Sequence, residues 1–136
     1  MSVIVTDDGF RTDDWATGYA VAADWPSEGG TLALDLPSDA DPTTLGDKLA
    51  APMIRVDFPA FSDGRGFTIA AELRRMGYGG RLRAKGHVIA DQYAMARRSG
   101  FDEVEIDDAL ALRQTEDQWL ARADWRAHSY QDRLRG

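Results

Sequence analysis

The sequence has no cysteine among its 136 residues. Cysteine thiolates hold iron–sulfur clusters, form redox-active disulfides and act as nucleophiles. The chain therefore cannot hold an ordinary iron–sulfur cluster, form a redox disulfide or offer a thiolate nucleophile. The lack of cysteine is also compatible with a protein of a reducing compartment.

Long hydrophobic runs are missing as well. No segment approaches the roughly 20 consecutive apolar residues that a transmembrane helix needs. Residues 1–7 provide neither the basic start nor the apolar stretch of a secretory signal. We therefore expect a protein of the cytoplasm that makes no contact with a membrane.

Two nucleotide-binding signatures and the usual zinc ligands are also absent. Ile69 occupies the position where a dinucleotide-binding fingerprint starting at Gly64 requires a third glycine or an alanine, and no P-loop lysine motif occurs. His87 and His128 are the only histidines, which makes a structural zinc site unlikely to form without cysteine. We predict no cofactor and no metal, although the residues leave a carboxylate-rich metal site open.

The charge of the chain is negative overall but unevenly distributed. The formal net charge is -7, whereas a general nucleic-acid binder needs positive charge to neutralise phosphates, so we expect no nucleic-acid partner. Residues 65–98 contain eight basic and two acidic side chains, and both ends of the chain are acidic. The basic side chains are thus concentrated in the middle of the sequence.

Length and residue pattern predict a single α/β domain over residues 1–136. Residues 1–30 are interpreted as an N-terminal extension that contains a short β-hairpin, with Asp7, Asp8 and Gly9 in its turn. From residue 31 onward, strand patterns alternate with helix patterns. Right-handed crossovers then predict a mostly parallel open sheet of about four strands with helices packed on it, and a partial β/α barrel is the alternative.

The boundaries of these elements follow from local signals. Asp41 is predicted to cap the first helix, with Pro42 at its first position. Ser62 or Asp63 should cap the second helix, and Gly100 should end the third in a left-handed conformation. The predicted strands cover residues 32–36, 53–58, 81–85 and 101–106.

Segment 58–67 carries the first candidate site, because it runs from the end of a strand into the start of a helix. Ligands bind at that edge of parallel sheets, where helix N-termini point amide groups outward. Gly64 and Gly66 permit close approach, Arg65 offers a fork to a small oxyanion, and Asp63 lies beside them. The alternative is a tight turn with a capping aspartate and a solvated arginine.

A second candidate site follows the next strand. Arg83 and Lys85 are predicted to bind the anion together with Gln92, while His87 and Asp91 are the candidates for catalytic proton transfer. If the two strands are neighbours, these side chains should converge with the arginine of the first loop on one rim. The alternative is that His87 is only a residue of the helix start, and that Asp91 and Gln92 are solvated or capping.

Three aromatic residues near the C-terminus allow two interpretations. Trp119, Trp125 and Tyr130 could form a hydrophobic seam that closes the fold. They could instead form a partner surface, since aromatic and basic residues are enriched at interfaces. The sequence also leaves open whether the chain forms a homo-oligomer.

Several of these segments together resemble a known bacterial family. The residues that carry the resemblance are 58–67, 82–84, 86–88, 91–92 and 98–102, and the similarity covers most of the chain from about Leu32. The family is one of unknown function whose members are described as oxidoreductases with a role in sulfite reduction. The resemblance implies a role beside the assimilatory sulfite reductase and the sulfonucleotide reductase that supplies it.

These observations lead to three functional hypotheses. The first is an accessory protein of sulfite and sulfate assimilation that has no redox centre, docks on the reductase machinery and binds a small oxyanion or a sulfonucleotide. The second is a small enzyme that performs acid/base chemistry on an anionic substrate. The third is an oxidoreductase that borrows a flavin or nicotinamide cofactor.

Overall fold

The computed structural model describes residues 2–25 and 30–126. Its strands all belong to one seven-stranded sheet. Numbered along the chain, the strands are β1 (Ser2–Thr6), β2 (Gly9–Thr12), β3 (Tyr19–Val21), β4 (Ala33–Leu36), β5 (Met53–Phe58), β6 (Arg81–Gly86) and β7 (Glu103–Asp107).

The sheet has the strand order β2-β1-β7-β6-β5-β4-β3. Strands β3 to β7 are parallel, and β1 is antiparallel to both β2 and β7. The predicted open, mostly parallel sheet is therefore confirmed, but the predicted number of about four strands is too low. The N-terminal hairpin extends the sheet at β7, and Tyr19–Val21 adds a further strand beside β4.

In the part of the chain that the structure describes, four α-helices follow three of the strands. They are α1 (Arg65–Arg75) after β5, α2 (Tyr93–Ser99) after β6, and α3 (Asp108–Arg113) and α4 (Glu116–Leu120) after β7. The predicted C-cap at Gly100 is confirmed, with a φ of 117°. Asp41 accepts a hydrogen bond from the backbone N–H of Thr43 as predicted, but two short 3-10 turns, Pro42–Thr44 and Gly46–Lys48, take the place of the predicted helix, because threonine and glycine are weak helix formers.

The helices lie on one face of the sheet. Strands β3 to β7 are adjacent in chain order, so each right-handed crossover places its connection on the same side. Alternate residues of β4 to β7, among them Leu36, Val56 and Val104, form the core with Leu73 of α1 and Tyr93 of α2. This face of the sheet is therefore apolar.

The opposite face of the sheet is charged, because the intervening residues of the same strands point to the other side. We call it the charged face. Its charged residues are Asp35, Arg55, Asp57, Arg81, Arg83, Lys85, Glu103 and Glu105.

The segment between β2 and β3 crosses the charged face. Asp13 binds Arg83 at 3.0 Å, and Asp14 pairs with Arg81, so residues 13–18 form a strap near the amino ends of the parallel strands. From Thr12 to Tyr19 the chain can reach at most about 25 Å, whereas the two strands would lie about 29 Å apart in a flat sheet. The sheet must therefore curve around its charged face.

Strand β2 forms one edge of the sheet, and α4 lies beside it. The carboxylate of Glu116 accepts a hydrogen bond of 2.8 Å from the backbone N–H of Phe10. An edge amide of the hairpin is thereby bound within the chain.

The hairpin turn is fixed to α2 by a cluster around Asp7. The Asp7 carboxylate accepts hydrogen bonds from the Tyr93 hydroxyl, the Arg97 guanidinium and the Trp125 indole. Trp119 is buried and Trp125 is half-buried under Arg97, so both contribute to packing. Tyr130 lies outside the described residues.

We predict that Asp7→Asn lowers stability most at neutral pH. Burial raises the pKa of Asp7, but the hydrogen bonds from Tyr93 and Arg97 outweigh burial and hold this pKa below its ordinary value of 3.8. A lowered pKa contributes stability above the unfolded value and loses it as the pH falls through the folded value. Urea unfolding from pH 7 to pH 3 should show the difference between the two proteins shrinking toward the acidic end; a constant difference would contradict the charge contribution.

The charged face is held together by buried arginines. Arg83 is fully buried and pairs with Asp13, Glu103 and Glu105. The Arg55 guanidinium forms ion pairs with the carboxylates of Asp35 at 2.8 Å and Glu105 at 3.1 Å. Since a buried charge is stable only with well-placed partners, each cation of this group depends on its carboxylates.

We predict that Arg83→Met destabilises the protein by about 3 kcal/mol, because the change leaves Glu103 and Glu105 without their shared cation. Arg75→Met is the matched control, since the Arg75 side chain is 73% exposed and pairs only with Glu72. This control should cost less than about 1 kcal/mol. Urea denaturation of both variants measures the difference, and equal losses would contradict the structural role of Arg83.

Candidate functional site

A pocket opens on the charged face where strands β5, β6 and β7 end. Its volume is about 370 Å³, which lies within the range of small-ligand sites. We call it the Lys85 pocket. The polar side chains that line it belong to Ser2, Asp57, Lys85, His87, Glu105, Asp107 and Arg113.

Lys85 differs from the arginines of the charged face. Arg55, Arg81 and Arg83 each bind two or more carboxylates. Across residues 2–25 and 30–126, the Lys85 ammonium has no hydrogen bond or ion pair, although it is half-buried. Arg113, at the last position of α3, is likewise unpaired within the described part of the chain. The pocket therefore has two cationic side chains available to a ligand.

The carboxylates of the pocket differ in their availability. Glu105 binds Arg55 and Arg83, and it accepts a hydrogen bond from Ser2. Asp107 accepts a hydrogen bond of 2.7 Å from the backbone N–H of Leu110 and caps α3. Asp57, which pairs in register with Lys85, has no hydrogen-bond or salt-bridge partner among the residues described. One carboxylate is thus free to bind a donor group of a ligand.

The turn after β6 places His87 at the pocket. Gly86 has a φ of 114°, and a Cβ there would lie 2.7 Å from the backbone oxygen of Phe58. Only glycine fits this conformation and this close approach. The His87 N–H donates to the same oxygen at 2.8 Å, and the imidazole packs edge-on against Phe61 at 5.1 Å between ring centroids. The imidazole edge is consequently held at the rim of the pocket.

The first predicted loop lies at a different pocket. Arg65 donates to the Asp63 carboxylate at 2.8 Å and to the Ser38 hydroxyl at 2.9 Å. These hydrogen bonds hold the pKa of Asp63 well below its usual range. Arg65 lines a separate cavity of about 350 Å³ beside Pro42 and Thr68. The structure therefore does not bring Arg65 and Lys85 to one pocket.

The two glycines of that loop lie at the start of α1. Gly64 is the N-cap residue of this helix and has a negative φ. A Cβ at Gly66 would lie 2.4 Å from the ring of Phe58, so a glycine is needed for the helix to pack closely on β5. Gly66 accordingly serves local packing, whereas a Cβ at Gly64 would make only an ordinary contact with Phe67.

The remaining predicted site residues are bound within the chain. Arg83 is buried beneath the strap, where its Nε and Nη1 atoms bind Asp13, Glu103 and Glu105 and its Nη2 atom has no hydrogen-bond partner among the described residues. Gln92 donates to the backbone oxygen of Phe61 and accepts from the N–H of Ile89, a capping role. Asp91 pairs with Arg122 on the surface at 2.6 Å. Of the residues predicted from sequence, Lys85 and His87 line the Lys85 pocket.

Sequence reasoning did not single out Asp57 and Arg113. A signal for Asp57 exists, because it alternates with Arg55 along β5 and so belongs to the same face. Arg113 gives no such signal, since its place at the pocket depends on how α3 turns back over β7.

Residues 33–136 match the model of a family described as a bacterial protein of unknown function, DUF934. The chain belongs to this family. No curated protein and no solved structure matched the chain. The family match covers β4 to β7 and α1 to α4, and therefore includes Asp57, Lys85, His87 and Arg113.

Two further properties concern the described residues only. Their helices include none that is long and apolar enough to cross a membrane. Histidine, aspartate and glutamate side chains in this part of the protein form no group arranged to hold a metal ion.

Proposed function

We propose that this protein is an accessory of assimilatory sulfite and sulfate reduction that binds a small oxyanion in the Lys85 pocket. The observation that supports the binding site is the unpaired ammonium of Lys85 on a sheet face where every described arginine has carboxylate partners. Arg113 and His87 add further donors to the same pocket. Charge-assisted hydrogen bonds from such groups are the usual means of holding sulfate, sulfite or phosphate.

The link to sulfur metabolism rests on the family resemblance. The chain has no cysteine, so the electrons of a reduction would have to come from a partner. Sulfite reductase or the sulfonucleotide reductase is the proposed partner. The role proposed for this chain is to bind or deliver the anion, without redox chemistry of its own.

Acid/base catalysis on an anionic substrate is the second candidate function. It is favoured by the imidazole of His87 at the rim of a pocket that also contains Lys85. Asp91, the other predicted catalytic residue, is bound to Arg122 on the surface, which leaves His87 as the candidate proton carrier. A turnover that is lost in His87→Gln, with anion affinity retained, would favour this candidate.

We predict that Lys85→Met weakens sulfate or sulfite binding about tenfold, the effect of losing one charge-assisted contact. Lys48→Met is the matched control, because Lys48 is the only other lysine and pairs with Asp47 away from the pocket. Isothermal titration calorimetry at constant ionic strength measures both. Equal affinity in all three proteins would contradict the site.

Selective amine modification tests the same site without a mutation. The chain has two lysines, so reductive methylation followed by mass spectrometry distinguishes them directly. Sulfite or sulfate should slow the modification of Lys85 and leave the rate at Lys48 unchanged. Equal protection of both lysines would indicate a general salt effect and contradict specific binding.

The biological role requires a separate experiment. A strain that lacks this protein should grow poorly on sulfate, and sulfide should rescue growth. If sulfite fails to rescue growth, the partner is sulfite reductase, whereas rescue by sulfite identifies the sulfonucleotide reductase. A pull-down from sulfate-grown cells should recover a sulfur-assimilation enzyme. Normal growth on sulfate together with a pull-down free of such enzymes would contradict the proposed role.

A further inference from the structure

A second pocket adjoins the Lys85 pocket on the charged face. It has a volume of about 540 Å³ and is lined by the apolar residues Val21, Ala22, Ala23, Leu36 and Pro37 and by Asp35, whose carboxylate is paired with Arg55. Asp57 and Lys85 line both pockets. We call the second pocket the apolar bay, and the two together form one groove across the carboxyl ends of the strands.

The residues that line the groove differ along its length. Arg113 and His87 line the Lys85 pocket but not the apolar bay, together with the carboxylates of Glu105 and Asp107, which are bound within the chain. Lys85 and the unpaired carboxylate of Asp57 line both pockets and so lie in the middle, and the apolar bay lies at the other end. A bare oxyanion would occupy only the first part and would be repelled by Asp57.

A ligand that fits the whole groove must combine three groups. Its anionic group is bound by Lys85 and Arg113, its hydroxyl or amino donors are accepted by Asp57, and its flat body packs against Val21 and Pro37. We infer that the groove binds a mononucleotide, with the phosphate or sulfonated phosphate in the Lys85 pocket, the ribose hydroxyls at Asp57 and the base in the apolar bay. This inference rests on the proposed anion site and names the class of its ligand.

The test is a comparison of ligands by isothermal titration calorimetry at constant ionic strength. The probes are sulfate, ribose 5-phosphate, adenosine and AMP. AMP should bind at least about tenfold more tightly than sulfate or ribose 5-phosphate, because only AMP contacts all three parts of the groove. Equal affinity for AMP and sulfate would overturn the inference while leaving the anion site in place. A Lys85→Met protein that binds sulfate and AMP as well as the wild type would overturn the proposed function as well.

Variants of the groove sharpen this comparison. Val21→Asn, which adds polarity without charge, should weaken AMP binding about tenfold and leave sulfate binding unchanged, because Val21 is 51% exposed and lines the apolar bay but not the Lys85 pocket. Met95→Asn is the matched control, since Met95 is 54% exposed on α2 and lies outside both pockets. Ala23→Asn, in the exposed turn after β3, provides a second variant if Val21→Asn does not fold. An unchanged AMP affinity in the folded variant would overturn the inference.

Asp57→Asn should change the affinities for sulfate and for AMP differently. It removes the negative charge that repels a free anion, so sulfate should bind more tightly. It also removes the charged acceptor for the ribose hydroxyls, so AMP should gain less affinity than sulfate or lose affinity. An equal gain for both ligands would show that AMP does not contact Asp57.

Discussion

The ion-pair network of the charged face is the constraint on which the rest of the structure depends. A sheet with helices on one side has a second face that must either be covered or be polar. Here Arg55 and Arg83 are nearly or fully buried on that face, and they require the carboxylates of β4, β7 and the strap. The arginines in turn bind the strap to the sheet, because Asp13 pairs with Arg83 and Asp14 pairs with Arg81. The ion pairs that neutralise the buried arginines therefore also hold the strap over this face of the sheet.

The strand order also determines where a ligand can bind. In doubly wound sheets a crevice forms where the strand order reverses. Strands β3 to β7 follow one another without a reversal, so the described parallel sheet has no such crevice. The pockets instead lie on the concave charged face, beyond the end of the strap. A site on this face takes Asp57 and Lys85 from the strands themselves, and strand positions are more rigid than loop positions. His87 and Arg113 come from the turn after β6 and from α3.

Much of the fold follows from the sequence, and the parts that do not have physical reasons. Residues 54–58 and 81–85 alternate between apolar and charged side chains, a pattern that predicts strands, whereas Tyr19–Val21 has three residues and becomes a strand by pairing with β4. The predicted convergence of Arg65 with Lys85 overlooked the side-chain period of two. Lys85 follows Arg83 by two residues and so points to the charged face, while Arg65 begins the helix on the apolar side. Arg113 could not be placed from sequence, because its position depends on the tertiary turn after β7.

The bond between Glu116 and the amide of Phe10 has a consequence for how copies of the protein meet. A free strand edge is a template on which another chain can add a strand, and such growth leads to aggregation. Strand β2 is the outer strand of the hairpin, and a side chain of α4 already occupies one of its donors. An incoming strand would have to displace that carboxylate before it could form a continuous ladder. Helix α4 thus hinders the addition of a further strand to the sheet at the β2 edge.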